Sequence, residues 1–72
     1  MSDVLRDRVH TLNRAGKWVN EAEDGVGRTF HHTREEAIQA GRLRARVNRT
    51  EHVVHHLDGT IASREPYGGD PE

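Results

Sequence analysis

The chain has 72 residues, 32% of them hydrophobic and 32% charged, with a formal net charge of −1 and no cysteine. That length allows one small domain with a core near the minimum size, and without cysteine there is no disulfide and no thiolate metal site. No apolar run approaches the ~18 residues of a membrane span, and no basic-then-apolar leader marks secretion, so membrane, disulfide-rich and large-cavity classes are set aside for a cytoplasmic domain.

Residues 1–7 read as a flexible N-terminus, 8–65 as one α+β domain and 66–72 as an irregular tail. Arg8-Val9-His10-Thr11-Leu12 has β-branched residues and no breaker, which predicts a strand. Asn13-Arg14-Ala15-Gly16 is a turn, and Lys17-Trp18-Val19-Asn20-Glu21 is the returning strand of a hairpin. Glu23-Asp24-Gly25-Val26-Gly27 is a second turn, with a short third strand expected at Arg28-Thr29-Phe30-His31. Thr33-Arg34-Glu35-Glu36 is a capping box: the Thr33 hydroxyl accepts the Glu36 amide, and the Glu36 carboxylate reaches back to the cap amide. The helix runs to about Asn48, where Asn-Arg-Thr is a polar stop. Its core face is expected at Ala37, Ile38, Gly41, Ala45 and Asn48. Glu51 to Leu57 predicts a strand, Asp58-Gly59 a tight turn and Thr60 to Arg64 the return. The fold expected is a small antiparallel sheet in strand-strand-helix-strand-strand order, with the one helix packed on one sheet face.

That plan leaves apolar residues over. One helix cannot cover both sheet faces, and Trp18 and Val19 point to opposite ones. Ala40, Leu43 and Val47 cluster about 120° or more from the helix core face. Each aliphatic side chain left in water forgoes about 1.5–3 kcal/mol. Trp18, Leu43, Val47 and Val54 are therefore the candidate contacts of a second apolar surface, with a homodimer or a protein partner as its occupant.

Chemistry has fewer footholds. The two serines, Ser2 and Ser63, lack a nucleophile elbow, Gly25-Val-Gly27 is too short for a phosphate loop, and Glu35 with Glu36 is explained by capping. Six histidines raise the question of a metal. His52 and His56 in one strand would sit about 13 Å apart. His31–His32 and His55–His56 are adjacent and point oppositely, whereas a pair brought together across strands, such as His10 with His32, could share an ion. None matches a usual zinc spacing. The expectation is no enzyme, no cofactor and no metal, with the histidines half-buried. The alternative is nucleic acid: Arg42, Arg46 and Arg49 form a stripe at i, i+4, i+7 that would track phosphates. The near-neutral total charge and the absence of aromatics from that stretch argue against it.

Taken together, Trp18-Val19-Asn20-Glu21, Thr33-x-x-Glu36-Ala37-Ile38-x-Ala40-Gly41-Arg42, Glu51-His52-Val53-Val54-His55-x-x-Asp58-Gly59-Thr60-Ile61 and Tyr67-Gly68-x-Asp70-Pro71 resemble a bacterial family called domain of unknown function 2188. The resemblance spans about residues 8–71. It implies a small protein with two strands, a helix and two strands, and no established activity, cofactor or catalytic residue. Recurring positions would be Trp18, Gly41, His52, Asp58, Gly59 and Tyr67, as structure or as a shared surface. Leu43-Arg44 departs from the family's polar residue followed by leucine, which marks Leu43 as a contact for something outside the monomer.

Overall fold

The computed structural model describes residues 8–67. Strands β1 (Val9–Arg14) and β2 (Lys17–Ala22) form a hairpin. Its two-residue turn has Ala15 at φ 53° and Gly16 at φ 86°, the positive pair that a type I′ turn demands. Asn13 Oδ1 accepts the Gly16 amide at 2.9 Å. Strand β3 (Thr29–His31) is the short third strand, and it pairs antiparallel with β2.

Helix α1 (Arg34–Asn48) begins where the cap signal places it. The Thr33 hydroxyl accepts the Glu36 amide at 3.0 Å. The Glu36 carboxylate reaches back one residue further than the expected box and accepts the His32 amide at 3.2 Å. At the other end Arg49 takes a left-handed conformation, and the Thr50 amide closes on the Ala45 carbonyl at 2.9 Å.

Strand β4 (Glu51–His55) and strand β5 (Ile61–Pro66) complete a five-stranded sheet of order β3-β2-β1-β4-β5. The turn between them is tied by Asp58 Oδ1, which accepts both the amide and the hydroxyl of Thr60. The sheet is mixed, which corrects the antiparallel expectation: β1 and β4 run parallel, the other pairs antiparallel. The reason is the connection. A tight turn reverses the chain, whereas a 15-residue helix, about 22 Å long, carries it back to the end where the preceding strand began.

The register assigns the faces. Val9, Thr11, Trp18, Asn20, His52 and Val54 lie toward α1, and His10, Leu12, Val19, Glu21, Val53 and His55 lie on the opposite face, called open because the helix does not cover it. Trp18 rather than Val19 is thus on the helix side. On the open face Val19 sits between Leu12 and Phe30, and Val53 between His10 and Arg64. Both valines are fully buried there, although the helix does not reach them. The helix buries Ala37, Gly41 and Ala45 against the sheet. Of the wider expected face, Ile38 is half-buried and Asn48 is exposed. No described helix is long and apolar enough to cross a membrane. The boundary expected at residue 65 lies inside β5, while the N-terminal segment 1–7 and the tail beyond 67 fall outside the described residues.

Candidate functional site

Beneath α1, beside Val9 and Val54, the core carries buried polar side chains. Asn20 Nδ2 donates to the Ala37 carbonyl at 2.8 Å, which fixes the amide orientation and leaves Oδ1 as an acceptor. Thr11 donates its hydroxyl proton to that Oδ1. Its oxygen must then accept from His52, whose Nε2 lies 2.7 Å away. His52 is therefore the Nε2–H tautomer. Its Nδ1 is buried without a hydrogen-bond partner among the described residues. Protonation would add a buried donor with nothing to receive it. Burial holds the His52 imidazolium below the usual histidine range, with Arg42 and His10 pushing the same way and Glu65 opposing.

Gly41 makes this arrangement possible. A Cβ there would sit 2.6 Å from Asn20 Oδ1 and 2.7 Å from both His52 Nε2 and Thr11 Oγ1. Those atoms belong to fully buried side chains and cannot move aside cheaply. Two of the recurring positions, Gly41 and His52, thereby acquire a structural role. The sequence carried the signal for Gly41 as a small residue on the core face. The hydrogen bonding of Thr11 and Asn20 depends on strand register, which has no local signature.

The outward side of α1 is the reverse. Leu43 is 62% and Val47 is 72% exposed, and they are four residues apart, hence neighbours on one helix face. Val54, expected to join them, is 6% exposed. It faces the helix from β4 and is covered there, so it drops out of any second surface. Trp18 is half-buried and carries Arg34 above its ring, 5.6 Å from the centroid. With Phe30, His31 and His32 it lines a shallow depression beside the β1–β2 turn. Arg34 lies nine positions before Leu43, about 13 Å along the axis. Trp18 and the Leu43–Val47 pair are therefore separate places. Phe30, Leu57, Ile61 and Val26 are further exposed apolar residues.

The arginine stripe is divided. Arg42 lies 3.7 Å from Glu65. Arg44 anchors the β2–β3 loop by donating to the Gly27 carbonyl at 2.7 Å. Arg46 and Arg49 make no side-chain ion pair among the described residues. On the open sheet face Glu21 is nearly fully buried, and Arg14 and Arg28 each reach it at 2.7 Å. The hydrogen bond from Arg14, then that from Arg28, keep its carboxyl low despite burial. His10 pairs with His55 across β1 and β4 rather than with His32. Among the described residues no three or more histidine, aspartate or glutamate side chains are grouped to hold a metal ion.

No curated protein matches the chain, and no solved structure does. A family described as an uncharacterized protein conserved in bacteria, domain of unknown function 2188, matches residues 9–67, which is most of the sequence and the whole sheet and helix described above. The chain belongs to that bacterial family.

Proposed function

We propose that this protein is a small, cytoplasmic, non-enzymatic interaction module that self-associates as a homodimer through the outward side of α1. The observation that carries the reading is the exposed Leu43–Val47 pair. A chain this short in apolar residues keeps two of its larger ones together in water. Across a twofold axis the four side chains offer about 6–12 kcal/mol. Association costs about 4–15 kcal/mol. The balance describes a weak, concentration-dependent dimer. A dilution series followed by NMR tests the surface: amide shifts should move around Leu43 and Val47 as the chain is diluted. Shifts that stay constant there, or move only elsewhere, contradict it.

A second reading rests on Arg49. A non-glycine residue at this left-handed position (φ 55°) costs roughly 1–2 kcal/mol, and glycine usually stands there. Retaining arginine, with Arg46 a turn before it, suits contact with nucleic-acid phosphates. Binding of a mixed-sequence duplex or RNA at low salt, weakened by Arg49→Gly, is the expected result on this reading. No association at low ionic strength removes it.

A further inference from the structure

On the open sheet face a line of hydrogen bonds passes through two imidazoles. His10 Nε2 lies 2.6 Å from Glu23 Oε1, His10 Nδ1 lies 2.9 Å from His55 Nε2, and His55 Nδ1 lies 3.0 Å from the Gly59 carbonyl oxygen. The ring centroids are 5.2 Å apart and the rings are tilted by 30°. That separation equals the nitrogen–nitrogen distance plus the two ring radii, so the nitrogens meet head-on. Two histidines sharing a tetrahedral ion converge on it at an angle instead. The contact has the geometry of an N–H···N hydrogen bond.

Counting protons then decides what the pair must carry. The Gly59 carbonyl only accepts, so His55 Nδ1 bears a hydrogen. Glu23 is paired with the Arg8 guanidinium at 3.1 Å and is a carboxylate, which only accepts. His10 Nε2 therefore also bears a hydrogen. The bond between the rings needs a third, on one of the two inner nitrogens. Two neutral imidazoles bring only two.

The charge in direct contact with the pair is acidic, since His10 Nε2 lies against Glu23. Arg8 reaches Glu23 at 3.1 Å and Glu51 at 3.2 Å. Two carboxylates against one guanidinium leave a single negative charge over. Among the described residues, the charges next out are Glu21, opposite His10 on β2, with Arg14 and Arg28 on it and so one positive charge in excess, Arg64, opposite Val53 on β5, and Arg34, which donates to the His55 carbonyl at 3.5 Å. His52 lies on the other face of β4.

We propose that His10 and His55 share one extra proton in the folded chain, and that this proton latches the β4–β5 turn to β1 and to the β2–β3 loop. Loss of the proton leaves two lone pairs facing each other. A second added proton leaves two N–H groups facing each other. Either change breaks the bond between the rings, so the latch is closed in a middle pH range and opens on both sides. The turn it releases carries the exposed Leu57 and feeds the edge strand β5. This device lies on the face opposite Leu43 and Val47 and does not depend on self-association.

The test is nitrogen-15 NMR of the histidine rings in the full chain from about pH 5 to 9, with hydrogen exchange of the His56 amide, which bonds the Thr60 carbonyl at 2.7 Å. Three protonated nitrogens on the two rings are expected at mid-range. Protection of the His56 amide should peak there and fall on both sides, and His10→Gln should flatten that peak. Two protonated nitrogens at mid-range, with the rings titrating independently, would overturn the proposal. So would an unchanged peak in His10→Gln. The nitrogen count is made on the unaltered chain and decides the matter even if the variant fails to fold.

Discussion

The two sides of α1 have exchanged their usual chemistry. Toward the sheet the helix presents Ala37, Gly41 and Ala45, and beneath them lie Thr11, Asn20 and His52 joined by hydrogen bonds. Toward solvent it presents Leu43 and Val47. An amphipathic helix ordinarily turns its large apolar residues inward. Here close approach and the hydrogen bonds among Thr11, Asn20 and His52 hold the inner side, where bulk would not fit. Leu43 and Val47 lie outward, available to a partner, while Ile38 is half-buried. The inner side makes the monomer and the outer side, on our reading, makes the assembly.

The sharpest way to break this contrast is Gly41→Ala. Alanine normally improves a helix interior by about 0.5–1 kcal/mol. At this position the added methyl overlaps three buried polar atoms, all within 2.7 Å. A net loss of about 2–3 kcal/mol in chemical denaturation is expected. A gain would show that the helix does not sit this close. Next comes Thr11→Val, which keeps the shape and removes the bridge. Asn20 Oδ1 and His52 Nε2–H would each lose a partner, at about 1–3 kcal/mol together. An unchanged midpoint would mean that the three side chains are merely adjacent.

A smaller effect is expected from pH. Burial holds His52 below the usual histidine range in the folded state, so the unfolded chain takes up the proton first. Its contribution to stability is complete above the unfolded value. It is lost as pH falls from there toward the folded value. His52→Gln should therefore show a shallower acid limb than the parent, with the His10–His55 pair common to both. Identical limbs would contradict a buried neutral His52. Smallest of all on monomer stability is Leu43→Glu, expected within about 0.5 kcal/mol because the side chain is exposed. Its effect should fall on assembly alone, and a large loss of monomer stability would place Leu43 in the core after all.

What the sequence revealed was what local chemistry determines. Thr33 capped the helix, Asn48 ended it, and Asp58-Gly59 turned the chain, because each acts on neighbours a few residues away. The parallel β1–β4 pair was missed because strand direction follows from the path of the helix between strands rather than from either strand's residues. Val54 was misplaced for a related reason. Alternation put it on one face correctly, but only the tertiary position of α1 shows that this face is covered. His10 and His55 are 45 residues apart. No spacing along the chain could have joined them. Leu43 and Val47 were legible as an outward pair because helical periodicity is itself local.

The central claim is that the outward side of α1 is an interface, and sedimentation equilibrium of the full chain tests it most directly. The account predicts a mass rising with concentration from 8.2 kDa toward twice that value, and a Leu43→Glu/Val47→Glu variant that stays monomeric while folding as stably as the parent. A parent chain that remains at 8.2 kDa up to millimolar concentration would contradict it.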